Sequence, residues 1–191
     1  MKEGRIYIAS VFDNLDPFNG QGVDNDPHFW YTPPTWGICR TDFRSNVKKD
    51  DVVFFVSSKN NSNFPQMIFA YLVVSRTITH DQAFIEFPDK RMRSNAVVPG
   101  NILVDSRGKY NKADEGAHLD RFHEIKNHYV VGQKYSRMLT IDEINRKVPE
   151  FDMIINRIFG KKYMKAHEII GQKGRVLNEK QINKLIDWLN G

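Results

Sequence analysis

Phe12, Asp13, Phe18, Trp30, Tyr31 and Trp36, with Arg40 and Arg44 following, are the residue types a nucleobase site needs. An unpaired or flipped base is held by stacking on an aromatic face, by hydrogen bonds to its edge and by basic groups near its phosphates. Here the aromatics and one carboxylate acceptor lie in or beside a single loop, and the two arginines add charge and planar donors. The competing reading is structural: Trp36 and Phe12 as core, and Phe29-Trp30-Tyr31 as a pin for the long loop.

A second group is cationic. Lys161, Lys162 and Lys165 follow an apolar helical pattern, and Lys173 and Arg175 flank Gly174 before the last helix, so five cations can converge on one backbone path. Lysines and arginines that neutralise phosphates supply most sequence-independent affinity for nucleic acid. The charge distribution agrees with that reading. Residues 134–191 hold 12 Lys/Arg against 7 Asp/Glu and residues 1–133 hold 16 of each, so the whole net charge of +5 sits in the last third. A solvated helical surface that happens to be basic would look the same.

His118, Asp120, His123, Glu124 and His128 form a third group, and three imidazoles with two carboxylates can in principle hold zinc or non-haem iron. Their spacing is not that of an H-E-x-x-H helix, and the segment lacks an apolar framework to fix ligands, so no metal is assigned. His80-Asp81 reads as a turn after a strand. Cys39 reads as a small buried hydrophobe inside a strand, not a nucleophile. Nucleophile-elbow, phosphate-loop and dinucleotide-binding motifs are all missing, so no catalytic residue and no cofactor are assigned.

A chain of 191 residues, 40% of them hydrophobic, can bury one substantial core, and no long Pro/Gly/Ser linker divides it, so one domain over residues 1–191 is expected. A lone cysteine fits a reducing compartment. No stretch near the start has a signal-peptide core, and none approaches the roughly 20 apolar residues of a membrane helix. The expectation is a soluble cytoplasmic protein with no membrane partner.

The elements that must position these residues follow from periodicity. Residues 5–11 alternate as a strand, residues 13–34 form a long Asp/Asn/Gly/Pro loop, and the segment after Thr32 reads as three strands of a β-meander, including 52–56 and 68–74. Residues 83–87 read as another short strand. Residues 95–128 are a polar insertion, with the character of a lid or a mobile segment, and Tyr129–Gly132 is a returning strand able to close a barrel. The last third is helical: Thr140 and Glu143 form a capping box, Pro149 stops that helix, and a second pattern of Phe151, Ile154, Ile155, Ile158 and Phe159 ends at Gly160. Asn178 and Gln181 open a final helix lined by Ile182, Leu185, Ile186 and Leu189.

Asp13 with Asp16-Pro17-Phe18-Asn19-Gly20, then Trp36-Gly37-Ile38-Cys39-Arg40-x-x-x-Arg44, then Asp51-Val52-Val53, and a tail of Gly174-Arg175 before Trp188-Leu189 resemble one family group. It is the PUA-like superfamily that includes the EVE, ASCH and YTH folds, and more narrowly the bacterial and phage nucleotide-modification-associated domains. Asp50 stands where the usual Gly-Asp step of that group has its glycine. The resemblance implies an α+β fold: a mixed or antiparallel β-barrel over about 5–133, the insertion at about 95–128, and a helical flank over about 134–191. It favours a non-catalytic module that binds nucleic acid or a nucleotide, reading a base, plausibly a modified one, with the basic helices on the phosphates. The alternative is an enzyme of nucleotide or nucleic-acid modification that uses the His-rich insertion.

Overall fold

The computed structural model describes residues 3–9, 26–58, 65–94, 96 and 100–191. Gly4–Ile8 forms β1, Thr35–Trp36 the short β2, Thr41–Arg44 a single helical turn (α1), Val52–Val56 β3 and Ile68–Ile78 the long β4. β3 is buried at every position, which is why it reads as an unbroken VVFFV run and not as an alternating one. The chain continues through His80–Glu86 (α2), Phe122–Ile125 (α3), Tyr129–Gly132 (β5), Arg137–Met138 (β6), Ile141–Phe159 (α4), Ala166–Ile170 (α5), Arg175–Leu177 (β7) and Glu179–Asn190 (α6).

Among the described residues the strands make one seven-stranded sheet in the order β2-β5-β4-β3-β1-β7, with β6 attached to β4 off this path. Its ends, β2 and β7, do not pair with each other, so the fold is α+β with an open sheet, and the expected closed barrel is corrected. Two pairings explain why it stays open. β5 lies along the second half of β4 and takes β2 on its far side, and β7 from the helical third occupies the outer edge of β1. The expected meander is corrected as well: β3 and β4 form a hairpin, but β2 is separated from β3 by β5 and β4. β1 runs parallel to β3, from Gly4 opposite Val52 to Ile8 opposite Val56.

Three local readings also change. The segment expected as a strand at 83–87 is largely helix α2, because Thr79 and Gln82 cap each other reciprocally and His80 starts the helix where a turn was expected. Cys39 lies in a bend after β2 and is half-buried. Pro149 does not end a helix: α4 runs through it for 19 residues. Proline removes the amide that would bond the carbonyl of Asn145, but both residues are exposed, so water can satisfy that carbonyl while the buried face continues.

That buried face is Ile144, Phe151, Ile154, Ile155 and Ile158, which packs with Ile169 and Ile170 of α5 and Ile182, Leu185 and Leu189 of α6 in one core with β1, β3 and β4. The boundaries read from the sequence hold here. Thr140–Glu143 and Asn178–Gln181 are both reciprocal capping boxes, and Gly160 ends α4 at φ 63°. Asp50 adopts φ 71° despite its side chain, as aspartate tolerates better than most residues, and its carboxylate accepts from Gln133 Nε2 at 2.6 Å. The described part of the insertion is packed, with Ile102, Leu103, Val104 and Ile125 fully buried. Among the described residues no helix is long and apolar enough to cross a membrane.

Candidate functional site

The last two turns of α4 and the loop after it form a concavity of about 660 Å³, lined by Asp152, Met153, Asn156 and Arg157 of the helix and by Lys161, Lys162, Tyr163, Met164 and Lys165. Three of the five cations expected to meet phosphate therefore converge here, joined by Arg157. Lys165 Nζ pairs with Asp152 Oδ2 at 3.1 Å, whereas Lys161 and Lys162 are exposed and form no side-chain bond with the described residues. Four cations against one carboxylate leave the lining at +3. That charge outweighs the partial charge of about −0.5 at the C-terminus of a helix, so the field remains positive.

The loop is held from the helix. Asn156 Nδ2 donates to the carbonyls of Asp152 and Met164, both at 2.7 Å, and Asn156 Oδ1 accepts the Met164 amide at 3.2 Å. One turn earlier, Asp152 Oδ1 accepts the Ala166 amide at 2.8 Å. On the other side of the loop the Lys161 amide donates to the Asn156 carbonyl at 2.8 Å, and between these anchors Tyr163 is held at φ 57° with its side chain wholly in solvent. Replacing Asn156 by alanine is expected to cost about 1–3 kcal/mol through the Met164 groups it leaves unpaired. Urea denaturation measures that cost, and amide exchange of residues 161–165 should rise; unchanged exchange there would show that the loop is held some other way.

Lys173 and Arg175 do not line this concavity. Lys173 is exposed in the loop before β7, its carbonyl accepting from Arg40 Nη2 at 2.9 Å, and Arg175 Nε donates to the Ile169 carbonyl at 2.7 Å.

The residues expected to form a base pocket, around Trp36, are placed differently. Trp36 is fully buried, stacked on Tyr7 at 5.5 Å and edge-on to Phe55 at 5.4 Å. Arg44 is also fully buried, donating to the carbonyls of Cys39 and Ile38 at 2.9 and 2.8 Å. Neither offers a surface to solvent. Arg40 covers Phe43 at 3.8 Å and forks onto Asp42. Trp30 is half-buried, and Tyr31 is partly exposed and stacked on His28. Phe12, Asp13 and Phe18, with the 16–20 motif, lie outside the described residues.

What holds the segment around Trp36 is a buried polar lattice that the sequence reading missed. Asp26 accepts the amides of Gly37, Ile38 and Cys39 and the Asn101 side chain. Burial pushes its carboxyl above the usual range, while Arg44 and the three amides pull it back. His80 Nδ1 accepts the Leu103 amide at 3.0 Å, so its Nε2–H donates to the Gly37 carbonyl at 2.9 Å; burial lowers its pKa to about 3, and it is a neutral strut. Gly37 must be glycine, because a Cβ would sit 2.6 Å from the Tyr129 ring. Lys90, its pKa lowered by burial to about 7, reaches the carbonyls of Tyr31 and Pro33.

The His-rich insertion is dispersed. His118 Nδ1 meets Asp114 at 3.0 Å, and Tyr110 bonds the same carboxylate. His123 lies 3.8 Å from Glu124, and His128 and Glu124 line a second concavity of about 360 Å³ with Thr41, Asp42, Ser45 and Asn127. The carboxylates of that concavity disfavour a polyanion. Among the described residues no group of three or more His, Cys, Asp or Glu could hold a metal ion.

No family model matches the chain, and neither a curated protein nor a solved structure does. The identity as a PUA-like, nucleotide-modification-associated domain has no support from these comparisons, and the barrel it implied is overturned by the open sheet. That identity, and the recognition of a modified base that rested on it, are set aside. Tyr163 and Arg157 were missed, although an aromatic inside the basic run Lys161-Lys162-Tyr163-Met164-Lys165 is a pattern the sequence displays.

Proposed function

We propose that this protein binds nucleic acid or a nucleotide, with Arg157, Lys161 and Lys162 at the rim of the α4 concavity meeting phosphate. The observation that carries the reading is the convergence of these cations on one concavity, with the side chains of Lys161 and Lys162 making no bond to the described residues. Its positive lining supplies the sequence-independent part of affinity. A cytoplasmic setting suits a chain whose single cysteine is Cys39.

Fluorescence anisotropy with labelled oligonucleotides at several salt concentrations tests it. Log affinity should fall linearly with log salt, and Lys161→Ala/Lys162→Ala should flatten that slope by about 1.4–1.8, from about 0.7–0.9 for each phosphate no longer neutralised. If affinity at 1 M salt is unchanged, the same slope change weakens binding about 25- to 60-fold near 0.1 M. The variant removes two exposed side chains and should unfold like the parent. Salt-insensitive binding, or an unchanged slope in the double variant, would remove the lysines from the site.

A further inference from the structure

Tyr163 is unusual for a soluble surface. Its ring is wholly exposed, and its backbone is held at φ 57°, in the left-handed region that a tyrosine seldom adopts. Neither feature helps the unbound chain, since an aromatic in water gives up burial and a non-glycine residue there is strained. Yet the loop is anchored on both sides of the ring, before it by the Lys161 amide on the Asn156 carbonyl at 2.8 Å and after it by Asn156 at Met164 and Asp152 at Ala166. The ring is therefore presented by a fixed support. Two thioethers, Met153 and Met164, line the same concavity, and Met153 is about half-exposed.

We propose that the concavity takes one unpaired nucleotide of a single-stranded nucleic acid, its base stacked on Tyr163 against the thioethers and its phosphate toward Arg157, Lys161 and Lys162. The proposal rests on the nucleic-acid reading and commits it to single strands. In a duplex both faces of every base are covered by neighbours, so an exposed ring has nothing to stack on and only the phosphates remain for the lysines. An unpaired base has a free π-face, and stacking on an aromatic tolerates any base identity. Thioethers are polarisable and pack well against ring edges. A volume of about 660 Å³ suits one small-molecule-sized group, within the range of about 300–1,000 Å³ for such sites.

The test compares one labelled single strand with the duplex of the same sequence, over several salt concentrations, for the parent, Tyr163→Phe, Tyr163→Leu and Lys161→Ala/Lys162→Ala. The single strand should bind tighter than the duplex. Tyr163→Leu should weaken single-strand binding about 5- to 150-fold, with its salt slope and its duplex affinity unchanged, and Tyr163→Phe should bind like the parent. Leucine and phenylalanine meet the same backbone strain as tyrosine, so the difference between these variants isolates the ring.

The stacking proposal is overturned if Tyr163→Leu binds the single strand as well as the parent does, or if the duplex binds at least as tightly. In either case a weaker, salt-flattened Lys161→Ala/Lys162→Ala variant would leave the phosphate reading standing. Absence of salt-sensitive binding to both oligonucleotides overturns the two together.

Discussion

Trp36→Ala is expected to destabilise the protein by about 3–5 kcal/mol, the range for emptying a large aromatic site in a packed core. The indole has no exposed surface, lies nearly parallel to Tyr7 with an interplanar angle of 18°, and meets Phe55 edge-on at 89°. Those rings belong to β1 and β3, so the cavity would open where the Trp36 side chain of edge strand β2 meets those two strands. Urea denaturation gives the number directly. Trp30→Ala, at a half-buried position outside the core cluster, should cost much less. A Trp36→Ala protein that keeps its stability but loses oligonucleotide binding would return Trp36 to the role of a ligand-stacking residue.

Asp26→Ala should be comparably damaging, at about 3–5 kcal/mol, because it strips acceptors from buried donors and removes a negative charge near a buried guanidinium. Asp26 Oδ1 serves the Gly37 amide at 2.6 Å and Asn101 Nδ2 at 3.2 Å, and Oδ2 serves the amides of Ile38 and Cys39. Asp26→Asn keeps the shape but turns one acceptor into a donor that faces other donors, so it should recover half of the loss at most. Stability curves for parent, Ala and Asn variants at pH 7 decide the point. An Asn variant as stable as the parent would show that the native carboxyl is neutral, the direction in which burial pushes it, and that Arg44 has no ionised partner there.

Features set by neighbours along the chain were legible before any tertiary structure. Thr140 with Glu143, Asn178 with Gln181 and the left-handed Gly160 satisfy helix ends within a few residues, so residue types at short spacing suffice to place them. The unbroken VVFFV run likewise declared a strand, which the structure shows buried at every position. Three of the five expected phosphate contacts lie on one short segment, which is why Lys161, Lys162 and Lys165 do meet in one concavity.

Features set by partners far along the chain were not legible. Whether β5 would close a barrel depended on β2 and β4, and the outer edge of β1 was taken by β7, more than 160 residues away. Trp36 and Arg44 have the chemistry of a base site, but burial decides their use, and burial is a property of the assembled sheet and helices. Asp26 reads as one more acidic loop residue until the chain folds back and brings the Gly37, Ile38 and Cys39 amides to it. The sequence by itself determined the helix ends, the apolar strand at 52–56 and the cationic segment, because those rest on local hydrogen bonding, hydrophobicity and charge. Only the tertiary structure decided that Trp36 is core and that Tyr163 stands in solvent beside the lysines, because exposure depends on which distant surfaces pack together.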